Sequence, residues 1–323
     1  KDYVVIIGCN EQTANIVKLS LKRKDVKYIL IQTRQDVEKM RMRLDLDLDK
    51  NEEDRLVFYF AERTSREDIE ALHLEKAKEI YILGEDVHAD NEEDHDVFNI
   101  SCLENISEYF KHVILKDKKK VHVSLEYQST FTAFKSTHIY KSLDKNVEFL
   151  PFNIHAIWAK KILVDNFAIV PVGKKGEVKV QNYIPIDSYD GIKADDDKTI
   201  HIVIVGMNQM GTALGVQTAL LAHFPNAHRD KNLRTTITFI DDQAKKEGEY
   251  FRGRFATMFD LCRYRVVEIG KDICGKKEWY DPLSQDGDGR YKHLGENGNF
   301  MDIEWEFIQG NVASDEIRKY LVD

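Results

Sequence analysis

The sequence predicts an α/β protein made of two Rossmann-like, doubly wound parallel-sheet domains in tandem. The first indication is a pattern that occurs twice, at 4–10 and at 202–208: an apolar run that leads into a glycine turn and then a helical segment. A buried parallel strand that ends at a glycine and opens a helix is how Rossmann-type units begin. The second indication is a length of 323 residues, which is enough for two hydrophobic cores.

The first unit contains short, apolar, β-branched segments separated by helical periodicity, and each is predicted to be a strand. They lie at about 3–7, 27–32, 56–60, 78–83, 121–125 and 147–150. Right-handed crossovers between such strands give a doubly wound sheet, whose binding crevice lies at the carboxyl ends of the strands. We therefore predict a first domain at 1–150.

A helical segment at 153–163 follows the sixth strand, with Ile157 and Trp158 among its regularly spaced apolar residues. A complete Rossmann sheet has no position waiting for this helix. Its apolar face therefore either packs against a partner chain or covers the same sheet. Pro, Gly and an acidic run follow, so we expect 151–199 to be a helix and linker between the two domains.

The second domain is predicted at 200–323. A strand, a helix and a strand are legible at 200–205, 209–223 and 235–240, and a further strand and helix lie near 303–309 and 314–321. A polar, Gly-rich insertion at about 270–300 separates the two parts. This domain shows fewer strands than the first, so it is either truncated or a reduced sheet.

The two glycine loops follow the dinucleotide fingerprint in part. That fingerprint needs one small residue for the turn, one where the pyrophosphate approaches, and one where helix and strand pack closely. Gly8 and Gly206 supply the turn. Asn10 and Asn208 replace the second glycine, and only the second loop keeps the third, at Gly211. Each loop is therefore either a nucleotide site or a structural turn, and the second loop is the better candidate.

The end of the second strand in each unit gives a further difference. In Rossmann units this position presents a carboxylate to the adenosine ribose. Asp241 and Asp242 fill it in the second unit, whereas the first unit has Gln32, followed by Thr33 and Arg34. We therefore expect NAD(H) or ATP/ADP to bind in the second unit, with Asp241 as the acceptor for the ribose.

Composition and motifs argue against several classes of function. A net charge of −9 does not suit a surface that binds nucleic acid. The 4 cysteines lack the spacing of a zinc site or a disulfide framework, which fits a reducing cytosol. No GxSxG, HExxH or P-loop motif is present, so no catalytic or metal-binding residue is assigned. Because the chain starts at Lys1 and its first strand follows at once, we expect a segment upstream, for which a membrane segment is one candidate.

With these residues in place, the chain resembles the RCK family, also called TrkA-N or KTN, the regulators of potassium conductance attached to potassium channels and transporters. The stretch 60–83 looks like the family's third strand, short helix and fourth strand, and Asp94 and Asn99 fall near its Asp…Asn pattern. In the second unit 307–314 resembles the same third-strand motif, with Asn311 where the family usually has Asp. The resemblance covers nearly all of the first unit and part of the second.

The resemblance implies cytosolic ligand-sensing domains that regulate a potassium channel or transport system at the cytosolic face of the membrane. It further implies a homo-oligomer paired through the helix at 153–163, with the channel or transporter subunit in the same full-length chain or beside it. Two alternatives stay open. One is an NAD(P)-dependent oxidoreductase, although no substrate domain is legible; the other is a structural assembly module whose nucleotide sites are both inactive.

Overall fold

The computed structural model describes residues 2–44, 48–85, 95–164, 168–172, 177–181, 186–188, 190–268, 278–283 and 301–322. The chain divides into two compact units, Lys1–Ile154 and His155–Asp323. Among the described residues, no helix is both long enough and apolar enough to span a membrane.

The first unit is built on a 6-stranded parallel sheet of order β3-β2-β1-β4-β5-β6. Its strands are β1 Tyr3–Ile7, β2 Tyr28–Thr33, β3 Leu56–Phe60, β4 Glu79–Ile82, β5 Lys119–Ser124 and β6 Val147–Phe152. This order, with β1 and β4 side by side at the centre, is the doubly wound arrangement that the sequence predicts. All six predicted strands are present.

Helices connect the strands of this sheet and cover both of its faces. They are α1 Thr13–Leu21, α2 Val37–Leu44, α3 Lys50–Glu53, α4 Arg66–Ala71, α5 His95–Lys111, α6 Gln128–Ser136 and α7 His138–Ser142. Val4 and Ile6 of β1 belong to the core on one face, and Val5 and Ile7 to the core on the other. Because β1 is buried on both faces, its sequence is an unbroken apolar run and does not alternate with polar residues.

The segment after the first sheet contains the helix α8, Ile154–Val164, and a two-stranded antiparallel sheet of β7, Ala168–Val172, and β8, Glu177–Gln181. The helix lies where the sequence predicts it. The two strands are absent from the prediction, because Pro and Gly around them indicate a linker.

The second unit holds a 4-stranded parallel sheet of order β11-β12-β10-β9. Its strands are β9 His201–Val205, β10 Thr235–Asp241, β11 Arg263–Glu268 and β12 Ile303–Gln309. Its helices are α9 Gln209–Leu221, α10 Asn226–Arg229, α11 Ala244–Arg254, α12 Ala256–Phe259 and α13 Asp315–Val322. A core of aromatic and aliphatic side chains, with Phe239, Trp305 and Phe307 among them, lies between α11 and one face of this sheet. Most of the insertion at 270–300 lies outside the described residues.

Strand β11 was missed by sequence reasoning. Arg263 and Arg265 alternate with apolar residues in it, and this charge hides the apolar run that a parallel strand usually shows. In the structure these arginines pair with Glu304 and Glu306 of β12, the neighbouring strand. Both glutamates are buried, so each pair keeps a buried carboxylate matched with an opposite charge.

Candidate functional site

The loop between β9 and α9 forms the open turn of the second unit. Gly206 has a φ of +95°, in the left-handed region that favours glycine. Its N–H donates to the carbonyl oxygen of Ile240 in β10 at 2.8 Å. A Cβ atom built on Gly206 would meet no atom of the described residues within 4 Å. The space beside this turn is therefore free for a group to approach the backbone.

Helix α9 packs against the turn through Gly211. A Cβ atom on Gly211 would lie 2.2 Å from the carbonyl oxygen of Gly206, so only glycine fits. Asn208 is the N-cap of α9, and its Oδ1 accepts the N–H of Gly211 at 2.9 Å. The Asn208 side-chain oxygen therefore holds the first turn of the helix.

Asp241, the last residue of β10, lies beside the same loop. Its Oδ2 accepts the N–H of Met207 at 2.9 Å, and its Oδ1 accepts the N–H of Gln243 at 2.8 Å. A carboxylate offers about four acceptor positions, so two remain after these bonds. Asp241 is half-buried and Asp242 is exposed. The structure thus brings Gly206, Gly211 and Asp241 together at the carboxyl edge of the sheet, with an acceptor where a Rossmann unit binds ribose.

The corresponding loop of the first unit is tightly packed. Gly8 has a φ of +87°, and its N–H donates to the carbonyl oxygen of Gln32 at 2.8 Å. A Cβ atom on Gly8 would lie 2.3 Å from the carbonyl oxygen of Gly84, which follows β4. The first glycine turn therefore has the right backbone, but the end of β4 occupies the space beside it.

Asn10 links this loop to β4. Its Nδ2 donates to the carbonyl oxygen of Leu83 at 3.1 Å, and its Oδ1 accepts the N–H of Gln12 at 3.0 Å. The Asn10 amide is therefore engaged at both ends by the backbone of its own unit. We infer a structural role for it, in place of contact with a phosphate.

The hydrogen bonds of the two glycine turns show which residue of the first unit corresponds to Asp241. In β2 the carbonyl that receives the turn glycine's N–H belongs to Gln32, and in β10 it belongs to Ile240. Thr33 therefore occupies the place of Asp241, and Gln32 lies one residue earlier. Gln32 is fully buried, and neither polar atom of its amide has a hydrogen-bond partner within the described part of the chain. A side chain buried in this way does not present its amide to a ligand in the crevice.

The carboxylate of Glu85, which sequence reasoning missed, lies beside this first loop. Glu85 follows Gly84 at the carboxyl end of β4 and is buried. It accepts the N–H of Cys9 at 3.3 Å, the bond that Asp241 provides to Met207 in the second unit. An acid directly after β4 was the available signal, because β4 and β2 flank β1 and end at the same edge.

Arg34, which would favour a 2′-phosphate if it were free, pairs with another side chain. Its Nε lies 2.9 Å from Oε2 of Glu62, which follows β3. This ion pair is partly exposed and contributes little to stability. The guanidinium of Arg34, near the end of β2, is therefore already paired with a carboxylate.

A buried charge cluster lies at the start of α5. Asp96 accepts the N–H of Glu126 at 2.7 Å and that of Tyr127 at 3.2 Å, and it contacts His95. Burial alone would raise the pKa of Asp96, but these hydrogen bonds outweigh it and lower the pKa. Asn99, from the family pattern, donates to the carbonyl oxygen of Ser124 and so joins α5 to β5. Its companion Asp94 lies outside the described residues.

No group of His, Cys, Asp and Glu that could hold a metal ion occurs within the ranges that the structure describes.

Comparisons with known proteins find only distant structural similarity. No protein-family profile matches the chain, and no curated protein sequence matches it. The GsuK RCK domain superposes with a TM-score of 0.42 at 9% identity, covering 84% of this chain and 64% of that one. The human SLO3 gating ring gives 0.44 at 11% identity, with 77% and 60% covered. The methyltransferase domain of bacterial CtHen1 gives 0.24 at 18% identity, with 34% and 61% covered.

The chain spans less than two thirds of the length of each of these three structures. Similarity at this level assigns no function, and the Rossmann-like fold rests on the two parallel sheets themselves.

Proposed function

We propose that the chain is a ligand-sensing regulatory protein whose second unit binds an adenine nucleotide, NAD(H) or ATP/ADP. One observation carries this proposal: the open, left-handed turn at Gly206 lies beside a half-buried Asp241 that keeps two acceptor positions. The pyrophosphate would approach the backbone at Gly206. The ribose hydroxyls would donate to Asp241, and the exposed Asp242 would lie at the rim.

The regulated system in this proposal is a potassium channel or transporter. Support comes from the resemblance of 60–83 and 307–314 to the RCK family. In this arrangement the chain lies at the cytosolic face of the membrane, beside or attached to the transporting subunit. Regulation requires the nucleotide to bind one arrangement of the protein more tightly than another, because equal affinity for both shifts no equilibrium.

We also propose that the chain forms a homo-oligomer through α8. Ile157, Trp158 and Ile162 of this helix are 50%, 38% and 39% exposed. Large apolar side chains exposed together on one short helix are typical of an interface. A symmetric pair of such helices would bury them.

Titration calorimetry with NAD, NADH, ATP and ADP tests the nucleotide proposal. We expect heat with at least one of the four, and Asp241→Ala should weaken that binding by roughly 1–3 kcal/mol, or about 5- to 150-fold, because ribose hydroxyls lose their acceptor. Asp242→Ala is the matched control, since it removes the same charge from the neighbouring exposed position. Asp241→Asn keeps the volume and one oxygen that can still accept the N–H of Met207, so a loss of affinity as large as that of Asp241→Ala would not come from the loss of this bond.

The proposal is wrong if none of the four nucleotides gives heat, or if both alanine variants lose the same affinity. The first result would favour a structural assembly module. Turnover of bound NADH with a carbonyl substrate would instead favour the oxidoreductase.

A further inference from the structure

Glu85 is a buried carboxylate surrounded by hydrogen-bond donors. It is 3% exposed. Its Oε2 accepts the N–H of Cys9 at 3.3 Å, the hydroxyl of Thr33 at 2.9 Å and Nε2 of Gln35 at 2.7 Å. Its Oε1 accepts the N–H of Arg34 at 2.9 Å. Oε2 therefore accepts three bonds and Oε1 accepts one, which uses all the acceptor positions of Oε2 and leaves one on Oε1.

The directions of these donors are fixed by further bonds. Thr33 Oγ1 accepts the N–H of Gln35 at 3.0 Å, which leaves the hydroxyl hydrogen for Glu85. The second hydrogen on Gln35 Nε2 is held by the carbonyl oxygen of Cys9 at 2.8 Å. The hydroxyl hydrogen of Thr33 and the remaining hydrogen on Gln35 Nε2 therefore both point at Glu85, which must accept both. An ionised carboxylate has only acceptor positions and meets that requirement.

The donors come from the two elements that hold a ligand in a Rossmann unit, the loop after β1 and the end of β2. In the second unit a single residue of β10, Asp241, accepts the N–H groups at the corresponding positions, those of Met207 and Gln243. In the first unit two residues share this task. Thr33 accepts the N–H of Gln35, and Glu85, which follows β4, accepts the N–H of Cys9. Asp241 keeps one acceptor position on each carboxylate oxygen, whereas Glu85 keeps a single one, on Oε1.

We propose that the four donors around Glu85 form a carboxylate receptor that the chain fills with its own side chain. The first unit therefore holds an internal anion where a Rossmann unit would hold a ligand, and its crevice is closed to nucleotides. This proposal is independent of the ligand of the second unit.

The test is rescue of a truncated variant by a small carboxylate. Glu85→Ala should lower the melting temperature of the first unit by about 5–10 °C, because several buried donors lose their acceptor. Formate should restore several degrees of this loss relative to chloride at the same ionic strength, and it should leave the wild type unchanged. Adding Thr33→Val, which removes one donor at nearly constant volume, should reduce the rescue. The proposal is overturned if formate shifts the variant no more than the wild type, or if Glu85→Ala is as stable as the wild type.

A second variant serves if Glu85→Ala does not fold. Glu85→Gln keeps the volume but turns an NH₂ group toward the donors, so the charge-assisted bonds to Cys9 and Arg34 are weakened. In nuclear magnetic resonance spectra the amide protons of these two residues should move upfield. Glu70→Gln, an exposed carboxylate paired with Arg66, is the control and should leave them in place. Unchanged Cys9 and Arg34 amides in Glu85→Gln would overturn the proposal.

Discussion

At the residue scale, the two units differ in which strand supplies the carboxylate beside the glycine loop. Asp241 at the end of β10 was found from the sequence, because it lies one strand beyond the loop. Glu85 was missed, because it reaches Cys9 across 76 residues of sequence and the usual comparison looks only at the second strand. The carboxyl ends of parallel strands meet at one edge, so an acid on either neighbouring strand reaches the same backbone N–H.

His95 should make the stability of the first unit depend on pH. Its Nε2 lies 3.0 Å from the carbonyl oxygen of Leu83, and its Nδ1 lies 3.2 Å from Oδ1 of Asp96. Both partners are acceptors, so the charged ring satisfies both and the neutral ring only one. Burial alone would lower the pKa of His95, but the bond to Asp96 and the charge of Glu126 outweigh it and raise the pKa.

Because the pKa of His95 is raised on folding, its stabilisation is fully present below the unfolded value of about 6.5 and is lost as the pH rises through the folded value. Thermal unfolding from pH 5.5 to 9 of the wild type and of His95→Gln measures this. The difference between the two proteins should shrink as the pH rises. The comparison cancels other histidines, such as His223, whose pKa the bond to Asp302 also raises. A constant difference would contradict the account.

At the element scale, the strands of the first unit can be predicted from the sequence. For the helix α8, which follows the sheet, the sequence predicts the position along the chain but not the surface that it packs against. An apolar run that is buried on both faces of a parallel sheet can be read directly from the sequence. The sequence also places a helix at 153–163, and α8 is there. It does not decide which surface the helix faces, because the same spacing fits a sheet of its own chain and a partner chain.

The oligomer proposal is tested on α8. Trp158→Asp should dissociate the protein, because a carboxylate would be buried in the apolar contact of the two helices. Multi-angle light scattering gives the mass. Leu19→Asp on α1 is the control, since Leu19 is 66% exposed on a different helix. A monomeric wild type, or an unchanged mass for Trp158→Asp, would rule out this interface.

Two glycines of α11 should respond in opposite directions to the same substitution. A Cβ atom on Gly253 would meet nothing within 4 Å in the part of the chain that the structure describes, whereas one on Gly248 would lie 2.9 Å from Cδ1 of Phe307 in the core. Gly253→Ala should stabilise the second unit by about 0.5–1 kcal/mol through the higher helix propensity of alanine. Gly248→Ala should destabilise it by about 1–3 kcal/mol through overpacking. Urea unfolding measures both, and changes of the same sign would contradict the packing of α11 on β12.

At the scale of the whole molecule, the tandem Rossmann-like organisation follows from the repeated strand, glycine and helix pattern, whereas the state of each crevice does not. The sequence leaves the first loop as either a nucleotide site or a structural turn, whereas in the structure Gly84 and Glu85 fill the space beside it. These contacts join segments that are far apart in sequence, and no local motif reports them. The account therefore has one chain in which the first glycine loop is filled by its own unit and the second glycine loop is open.

Hydrogen exchange of the full chain, with and without the nucleotide that gives heat, tests this claim most directly. Binding at the second unit should slow exchange of the backbone amides at 206–212, where the loop opens α9, and leave those at 8–13 unchanged. Slower exchange at 8–13 on adding the nucleotide, or no change at 206–212, would contradict the account.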